Sequence, residues 1–202
     1  MNAVLLLSGG MDSAALAYWQ RPAHALTIDY GQVAAEGEFR AAVQIARQLG
    51  ITHHVLTLDL RTLGLGRMAG QRPDSGAPTP EWWPFRNQLL ITLAAAKAAT
   101  LGVDAVMIGT LKTDGLHADG RPEFVAGLND LLMLQERHIR LIAPALKLDA
   151  VELARRARVP ASVYGWTHSC HVANHACGLC RGCQKHLQTL AQLQLESGQS
   201  KS

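Results

Sequence analysis

The sequence lacks several features that would have assigned it to a class at once. No apolar stretch approaches the roughly 20 residues of a membrane span, which excludes a transmembrane helix. The first ten residues, MNAVLLLSGG, have no basic start and only a short apolar run, so we expect no signal peptide and a cytoplasmic protein. No run of Lys and Arg accompanies the net charge of +3, so nucleic acid is not an expected partner.

Two common phosphate-binding motifs are also missing. No Gly-Lys-Ser/Thr follows the first glycines, which excludes a Walker A loop, and the Gly-x-Gly-x-x-Gly spacing of dinucleotide-binding proteins is absent. What stands there instead is LLLSGGMDSAA, residues 5–15, which predicts a buried strand, a glycine turn and a helix start. Backbone N–H groups in such a turn, together with the helix N-terminus, favour a bound phosphate. The alternative is a tight turn in which Asp12 or Ser13 caps the helix.

Strand and helix patterns alternate along the rest of the chain. This alternation predicts an α/β fold, a doubly wound parallel five-stranded sheet with helices on both faces. Further strands are predicted at 24–32, 53–60, 104–110 and 139–146, and helices at 35–49, 86–102, 122–138 and 149–158. Loops 8–13, 29–33 and 109–121 follow strand ends and should meet at one site. Between them lies an irregular segment, 61–84, of a length that is usually functional or mobile.

The predicted domain organisation has three parts. Residues 1–160 form the α/β domain, residues 161–190 a small C-terminal metal-binding element, and residues 191–202 a disordered tail. A chain of 202 residues with 48% hydrophobic residues can bury a core for one such domain.

No cysteine occurs before residue 170, and all four then follow within 14 residues. Cys170, Cys177, Cys180 and Cys183 have the spacing C-x6-C-x2-C-x2-C. Four thiolates this close can form a tetrahedral shell around Zn²⁺. Disulfides do not fit a cytosolic chain, and an iron–sulfur cluster is the main rival, although the closing Cys-Pro of a ferredoxin run is missing. A nearby histidine could also replace one cysteine; the candidates are His168, His171, His175 and His186.

These motifs together resemble a known family. Ser-Gly-Gly-x-Asp-Ser at 8–13 resembles the PP-loop of ATP pyrophosphatases, whose fold is that of adenine nucleotide alpha hydrolases. With DYGQ (29–32), FRN (85–87), GRPEF (120–124) and CGLCRGC (177–183), the chain resembles the 7-cyano-7-deazaguanine synthases of the queuosine pathway. The resemblance implies an ATP-dependent ligase that releases AMP and pyrophosphate, uses Mg²⁺ and one Zn²⁺ per chain, and forms a homodimer.

The resemblance also implies roles for individual residues. ATP would be held by Ser8, Gly9, Gly10, Asp12, Ser13, Tyr30 and Gln32. The deazapurine substrate would be held by Arg86, Asn87, Asp114 and Arg121, with Lys112 on the same loop. Asp12, Arg86 and Arg121 would take part in catalysis, Arg121 by neutralising pyrophosphate, while Asp12 would either help to hold Mg²⁺ or cap the helix.

The sequence departs from the family pattern around the expected substrate pocket. TDGLHADG (113–120) has lost an aromatic residue and gained His117, Phe85 replaces a glycine, and Ser-Cys-His (169–171) replaces Ser-Cys-Tyr. These changes resemble a divergent branch found in antiviral defence operons, in which the activated acid is coupled to another amine such as a protein N-terminus. A tRNA-modifying PP-loop protein and a non-catalytic nucleotide sensor are the remaining alternatives.

Overall fold

Five short parallel strands form one sheet in the order β3-β2-β1-β4-β5. The computed structural model describes residues 2–199, with side chains described as far as residue 194. The strands are β1 (Val4–Leu6), β2 (His24–Asp29), β3 (Thr52–Thr57), β4 (Ala105–Met107) and β5 (Arg140–Ile142). Their order reverses at β1, because the chain first adds β2 and β3 on one side and then β4 and β5 on the other. This confirms the predicted doubly wound sheet and places its switch point between β1 and β4.

The helices connect these strands. They are α1 (Met11–Gln20), α2 (Ala35–Leu49), α3 (Arg86–Leu101), α4 (Pro122–Met133), α5 (Ala150–Ala157), α6 (Ala161–Tyr164) and α7 (Arg181–Gln199). Helix α2 has its predicted bounds, whereas α4 ends five residues before the predicted residue 138, which itself has a φ of +49° that a helix cannot contain. The irregular segment 61–84 contains only two short 3₁₀ turns, Arg61–Leu63 and Arg67–Ala69.

Both faces of the sheet are buried. In β1, Val4 packs on one face with Ile91 of α3, and the next residue, Leu5, packs on the other face with Leu16 of α1 and Ile45 of α2. Successive side chains of a strand point to opposite faces, so a continuous apolar run is what such a strand needs. The run of leucines in the first strand therefore has a direct structural reason.

The C-terminal part packs back on the domain through α7. Leu190 and Leu193 contact the cluster that contains Leu153 and Ala154 of α5. The tail predicted to be disordered begins at residue 191, whereas α7 continues to Gln199 and Leu193 packs against this cluster. Residues 200–202 lie outside the described residues. Within residues 2–199, no helix is long and apolar enough to cross a bilayer.

Candidate active site and metal centre

A cavity of about 610 Å³ lies at the carboxyl ends of the strands. Its wall includes Ser8 from the loop after β1, Tyr30 from the loop after β2 and Thr113 from the loop after β4. The prediction that these three loops converge is confirmed. Parallel strands deliver all their carboxyl ends to one edge, so residues far apart in sequence meet there.

The glycine turn after β1 leaves the start of α1 open to a ligand. Gly9 has a φ of +78°, and a Cβ there would lie 2.6 Å from the carbonyl oxygen of Glu38, so only glycine fits. The hydroxyls of Ser8 and Ser13 lie 3.2 Å apart, and Ser13 Oγ donates to the carbonyl of Gly10 at 3.0 Å. No side chain caps α1, which begins after Gly10. The alternative of a helix capped by Asp12 or Ser13 is therefore wrong, and the first N–H groups remain available for an anion.

Asp12 pairs with a lysine that the sequence reading did not identify. Lys185 of α7 places its Nζ 2.7 Å from Asp12 Oδ2 and 3.9 Å from Asp114 Oδ1. Burial raises the pKa of Asp12, and the neighbouring Lys185 opposes that rise. No motif singles out Lys185 in the sequence, where it is simply a lysine five residues after Cys180. The sequence analysis therefore missed it.

The residues predicted for the substrate divide into two groups. Arg86 and Asn87 line the cavity, and the Asn87 backbone N–H donates to Asp119 Oδ2 at 3.3 Å. Asp114 lines it too, but its Oδ2 accepts the Leu111 N–H at 2.8 Å, so half of the carboxylate is used to close its own turn.

Two predicted cations on the third loop lie outside the cavity wall. Arg121 is exposed and donates from Nε to the carbonyl of Gly115 at 3.2 Å, and Lys112 is exposed as well. The prediction that Arg121 neutralises pyrophosphate is not supported by this geometry, because Arg121, the residue before α4, is not among the residues that line the cavity. Arg181 and Lys185 of α7 provide positive charge in the cavity instead.

Gln32 supports the site from behind. It accepts the Tyr30 N–H at 2.9 Å and donates to Glu38 Oε2 at 2.8 Å, and it is buried without lining the cavity. Tyr30 does line the cavity and packs edge-on against Trp83, with ring centroids 4.9 Å apart. Burial raises the pKa of Glu38 to about 7, although the hydrogen bond from Gln32 and the charge of Arg86 oppose this rise. The Gln32 side chain therefore orders the turn and Glu38.

The irregular segment 61–84 contributes buried polar residues to the same cavity. Thr79, Glu81 and Trp83 line it and are at most 5% exposed. From its length the sequence predicted that this segment is functional or mobile, but no motif singled out these side chains.

The four cysteines form a compact donor set. One sulfur atom from each of Cys170, Cys177, Cys180 and Cys183 lies within 4.8 Å of all the others. Two pairs, Cys177 with Cys183 and Cys170 with Cys180, have sulfurs 3.9 Å apart. Tetrahedral Zn–S bonds of about 2.3 Å place sulfurs about 3.8 Å apart, so the set fits one tetrahedral ion. Backbone N–H groups of Leu179 and Cys180 lower the pKa of Cys177 to about 6, which favours the thiolate.

The histidines beside the cysteines have other partners or positions. His168 Nε2 bonds the carbonyl of Ala173 at 2.9 Å, and His186 Nδ1 bonds Ser169 Oγ at 3.0 Å. Burial lowers the pKa of His171 to about 4, with smaller contributions from Arg86 and other cations, and this neutral ring lines the cavity. Among the described residues, the candidate metal-binding group therefore consists of cysteines.

The cysteine loop is tied directly to the glycine turn. The backbone N–H of His168 donates to the carbonyl of Gly9 at 2.9 Å. On α2, the Gly37 N–H donates to Asn174 Oδ1 at 3.1 Å, and Arg40 donates to the Asn174 carbonyl at 2.6 Å. The loop that holds the cysteines therefore forms one wall of the cavity and fixes the start of α7.

Comparisons with known proteins agree with this arrangement. A family model described as queuosine biosynthesis protein QueC matches residues 2–194. The 7-cyano-7-deazaguanine synthase of Desulforudis audaxviator is 34% identical over 213 residues, which cover 92% of this chain and 94% of the relative. The synthase of Methanospirillum hungatei is 33% identical over 215 residues, which cover 97% of each.

A solved structure shares the fold. The U34-tRNA thiolase NcsA from Methanococcus maripaludis, solved with its [4Fe-4S] cluster, matches with a TM-score of 0.51 and 16% identity. The match covers 97% of this chain and 65% of that one. At this identity the likeness concerns the fold alone.

Proposed function

The chain belongs to the QueC family of queuosine biosynthesis proteins, and we propose that it is an ATP-dependent ligase acting on 7-carboxy-7-deazaguanine. The enzyme would adenylate the carboxylate and pass the acyl group to ammonia, which gives the amide and then the nitrile. The relatives named as 7-cyano-7-deazaguanine synthases over nearly their whole length support a synthase activity.

The observation that carries the ATP-dependent step is the uncapped start of α1 in the cavity. Its free N–H groups and the Ser8 and Ser13 hydroxyls form an anion cradle, and Lys185 and Arg181 add positive charge in the same cavity. A phosphate chain is the ligand that satisfies these groups together.

The chemistry requires activation because a carboxylate has no good leaving group. Attack of the substrate carboxylate on the α-phosphorus of ATP forms an acyl-adenylate and releases pyrophosphate. Ammonia then displaces AMP and leaves an amide. A second adenylation, now of the amide oxygen, followed by loss of AMP and a proton, gives the nitrile. Negative charge develops on phosphate in each adenylation, so preorganised N–H dipoles and cations are the main catalytic resource of this site.

The residues of the cavity can be assigned to these reaction steps. The start of α1 and Lys185 stabilise the pyrophosphate as it leaves, in the role predicted for Arg121. Arg86 and Asn87, at the start of α3, bind the deazapurine or the phosphate of ATP. A divalent cation supplied with ATP would neutralise phosphate charge, and Asp12 and Asp114, which line the cavity together with other carboxylates, would hold it.

We propose zinc as the ion of the cysteine set. Four sulfurs at tetrahedral separations suit a single ion, whereas each cysteine of a [4Fe-4S] cluster holds a different iron and lies farther from the others. A site with four protein ligands leaves no open position, so its role is to fix the loop and the start of α7. Metal analysis of the purified protein should find about one zinc per chain, and a brown protein rich in iron would contradict the assignment.

The ligase activity is tested by following AMP, pyrophosphate, acid, amide and nitrile over time from 7-carboxy-7-deazaguanine, ATP and ammonia. AMP release that depends on the deazapurine is the expected result. Ser8→Ala should lower pyrophosphate release about 10²-fold or more, because it removes a donor from the phosphate cradle. No AMP with this substrate would contradict the proposal.

A second candidate is coupling of the activated acid to an amine other than ammonia. It is favoured by the segment 113–120, which departs from the family pattern and places Leu116, His117 and Asp119 in the cavity wall. The same time course decides between the two, because the amide or an amine conjugate would then accumulate at the expense of nitrile. The homodimer implied by the family resemblance stays a prediction, which light scattering tests.

A further inference from the structure

Two polar atoms from the irregular segment 61–84 are buried without partners. Glu81 is 5% exposed and Trp83 is 2% exposed, and both line the cavity. Within the described part of the chain, Glu81 Oε2 and Trp83 Nε1 have no hydrogen-bond partner. Buried polar groups are nearly always paired because an unpaired one loses its bonds to water without replacement. An unpaired acceptor and an unpaired donor in one cavity wall therefore indicate a ligand that supplies both partners.

The segment holds these side chains in fixed positions. Arg67 N–H donates to the carbonyl of Pro80 at 2.8 Å, and Trp82 N–H donates to the carbonyl of Thr79 at 3.1 Å. Gly66 has a φ of +70°, and a Cβ there would lie 2.7 Å from the carbonyl oxygens of Pro80 and Trp82. Tyr30 fixes the indole of Trp83 by its edge-on contact. The Trp83 indole and the backbone that carries Glu81 are therefore preorganised, which lowers the cost of binding a ligand to them.

The chemistry of the two groups selects the kind of ligand. A carboxyl oxygen accepts an N–H or O–H and repels phosphate, so Glu81 does not belong to the phosphate cradle. An indole N–H only donates. A purine-like ring has an amino group beside a ring nitrogen or a carbonyl oxygen on one edge. Such an edge supplies the donor and the acceptor that Glu81 and Trp83 lack.

We propose that Glu81 and Trp83 form a purine-edge subsite, with Glu81 accepting from the amino group and Trp83 Nε1–H donating to the neighbouring acceptor. The inference rests on the proposed function, which supplies two ligands with this chemistry. They are 7-carboxy-7-deazaguanine, with its 2-amino group, and the adenine of ATP, with its 6-amino group. The subsite serves one of the two, and the experiment identifies which.

The test compares each ligand with its form lacking the amino group. Calorimetry measures ATP against purine riboside triphosphate, and 7-carboxy-7-deazaguanine against its analogue without the 2-amino group. The variants are Glu81→Met, which removes the acceptor at similar length, and Trp83→Phe, which keeps an aromatic ring and removes the N–H. Glu136→Met, at an exposed position away from the cavity, is the matched control.

The wild type should prefer the amino form of one ligand by about 10-fold or more, the effect of one buried hydrogen bond to a carboxyl group. Glu81→Met should reduce that preference below about 3-fold, and Trp83→Phe should weaken the binding of the same ligand. The control variant should change neither the preference nor the affinity. The melting temperature of ligand-free Glu81→Met should be unchanged or higher, because a buried unpaired group is removed. If Glu81 had a purely structural role, its replacement by Met would lower the melting temperature.

Two results would overturn the subsite: an amino preference that survives in Glu81→Met for both ligands, or a wild type without any amino preference. If Glu81→Met does not fold, Glu81→Gln is measured instead. It keeps the shape, and it should lower the affinity for the same ligand without lowering the melting temperature. If the wild type binds no 7-carboxy-7-deazaguanine, the proposed function fails, and the ATP pair still tests the subsite separately.

Discussion

Replacing Lys185 by Met tests whether α7 contributes a cation to pyrophosphate release. Met has a similar length and no charge, so it removes the ammonium that lies 2.7 Å from Asp12 while it keeps the packing of the stem. A unit charge about 4 Å from a phosphate oxygen contributes about 4 kcal/mol at an effective dielectric constant of about 20. Loss of one preorganised donor in other enzymes costs about 10²–10³ in rate. We therefore expect kcat/KM for pyrophosphate release to fall by about 10²–10³-fold.

The effect on stability should be small by comparison. The side chains of Lys185 and Asp12 are 38% and 26% exposed, so solvent screens their pairing, and its loss should cost about 1 kcal/mol or less. For a chain of this size that corresponds to about 2–4 °C in melting temperature.

The assays are pyrophosphate release under varied ATP and thermal unfolding of the same samples. Lys185→Arg, which keeps the charge, should retain much of the rate, and Lys112→Met, at an exposed lysine outside the cavity wall, should be close to wild type. A Lys185→Met enzyme within about threefold of wild-type kcat/KM, with a lowered melting temperature, would refute the reasoning: it would show that the ion pair only holds α7 in place.

Two further predictions concern the metal and the pH. Because His168 N–H bonds Gly9 O and the cysteine loop sets the start of α7, removal of the metal should weaken ATP binding, and ATP should slow metal release to a chromophoric chelator. Equal ATP affinity of metal-free and metal-loaded protein, both folded by circular dichroism, would contradict this coupling. Glu38 has a pKa raised from its ordinary value near 4.5 to about 7, so the folded state binds its proton more tightly and stability is lost as the pH rises through this window. Between pH 5 and pH 8 the wild type should lose at most about 3 kcal/mol of its free energy of unfolding, measured with denaturant, and Glu38→Gln should remove this loss. A variant with an unchanged pH profile would contradict the burial of this carboxyl group.

Local sequence patterns determined the elements of the fold and the metal donors. The apolar run at Val4–Leu6 requires two covered faces. The spacing of the four cysteines brings their sulfurs together through tight turns. Each of these features depends on residues within about 14 positions of one another, so the sequence contains the information in readable form.

Tertiary structure alone decided which charged and polar side chains share the cavity. Lys185 meets Asp12 across 173 residues of sequence, and Arg121, the residue directly before α4, is exposed and lies outside the cavity wall. The physical reason is that a side chain's direction depends on how its helix or loop is rotated and packed. For Lys185 this is set by the cysteine loop at one end of α7 and by contact with α5 at the other. For Glu81 it is set by backbone bonds within a segment that has no periodic pattern to predict it.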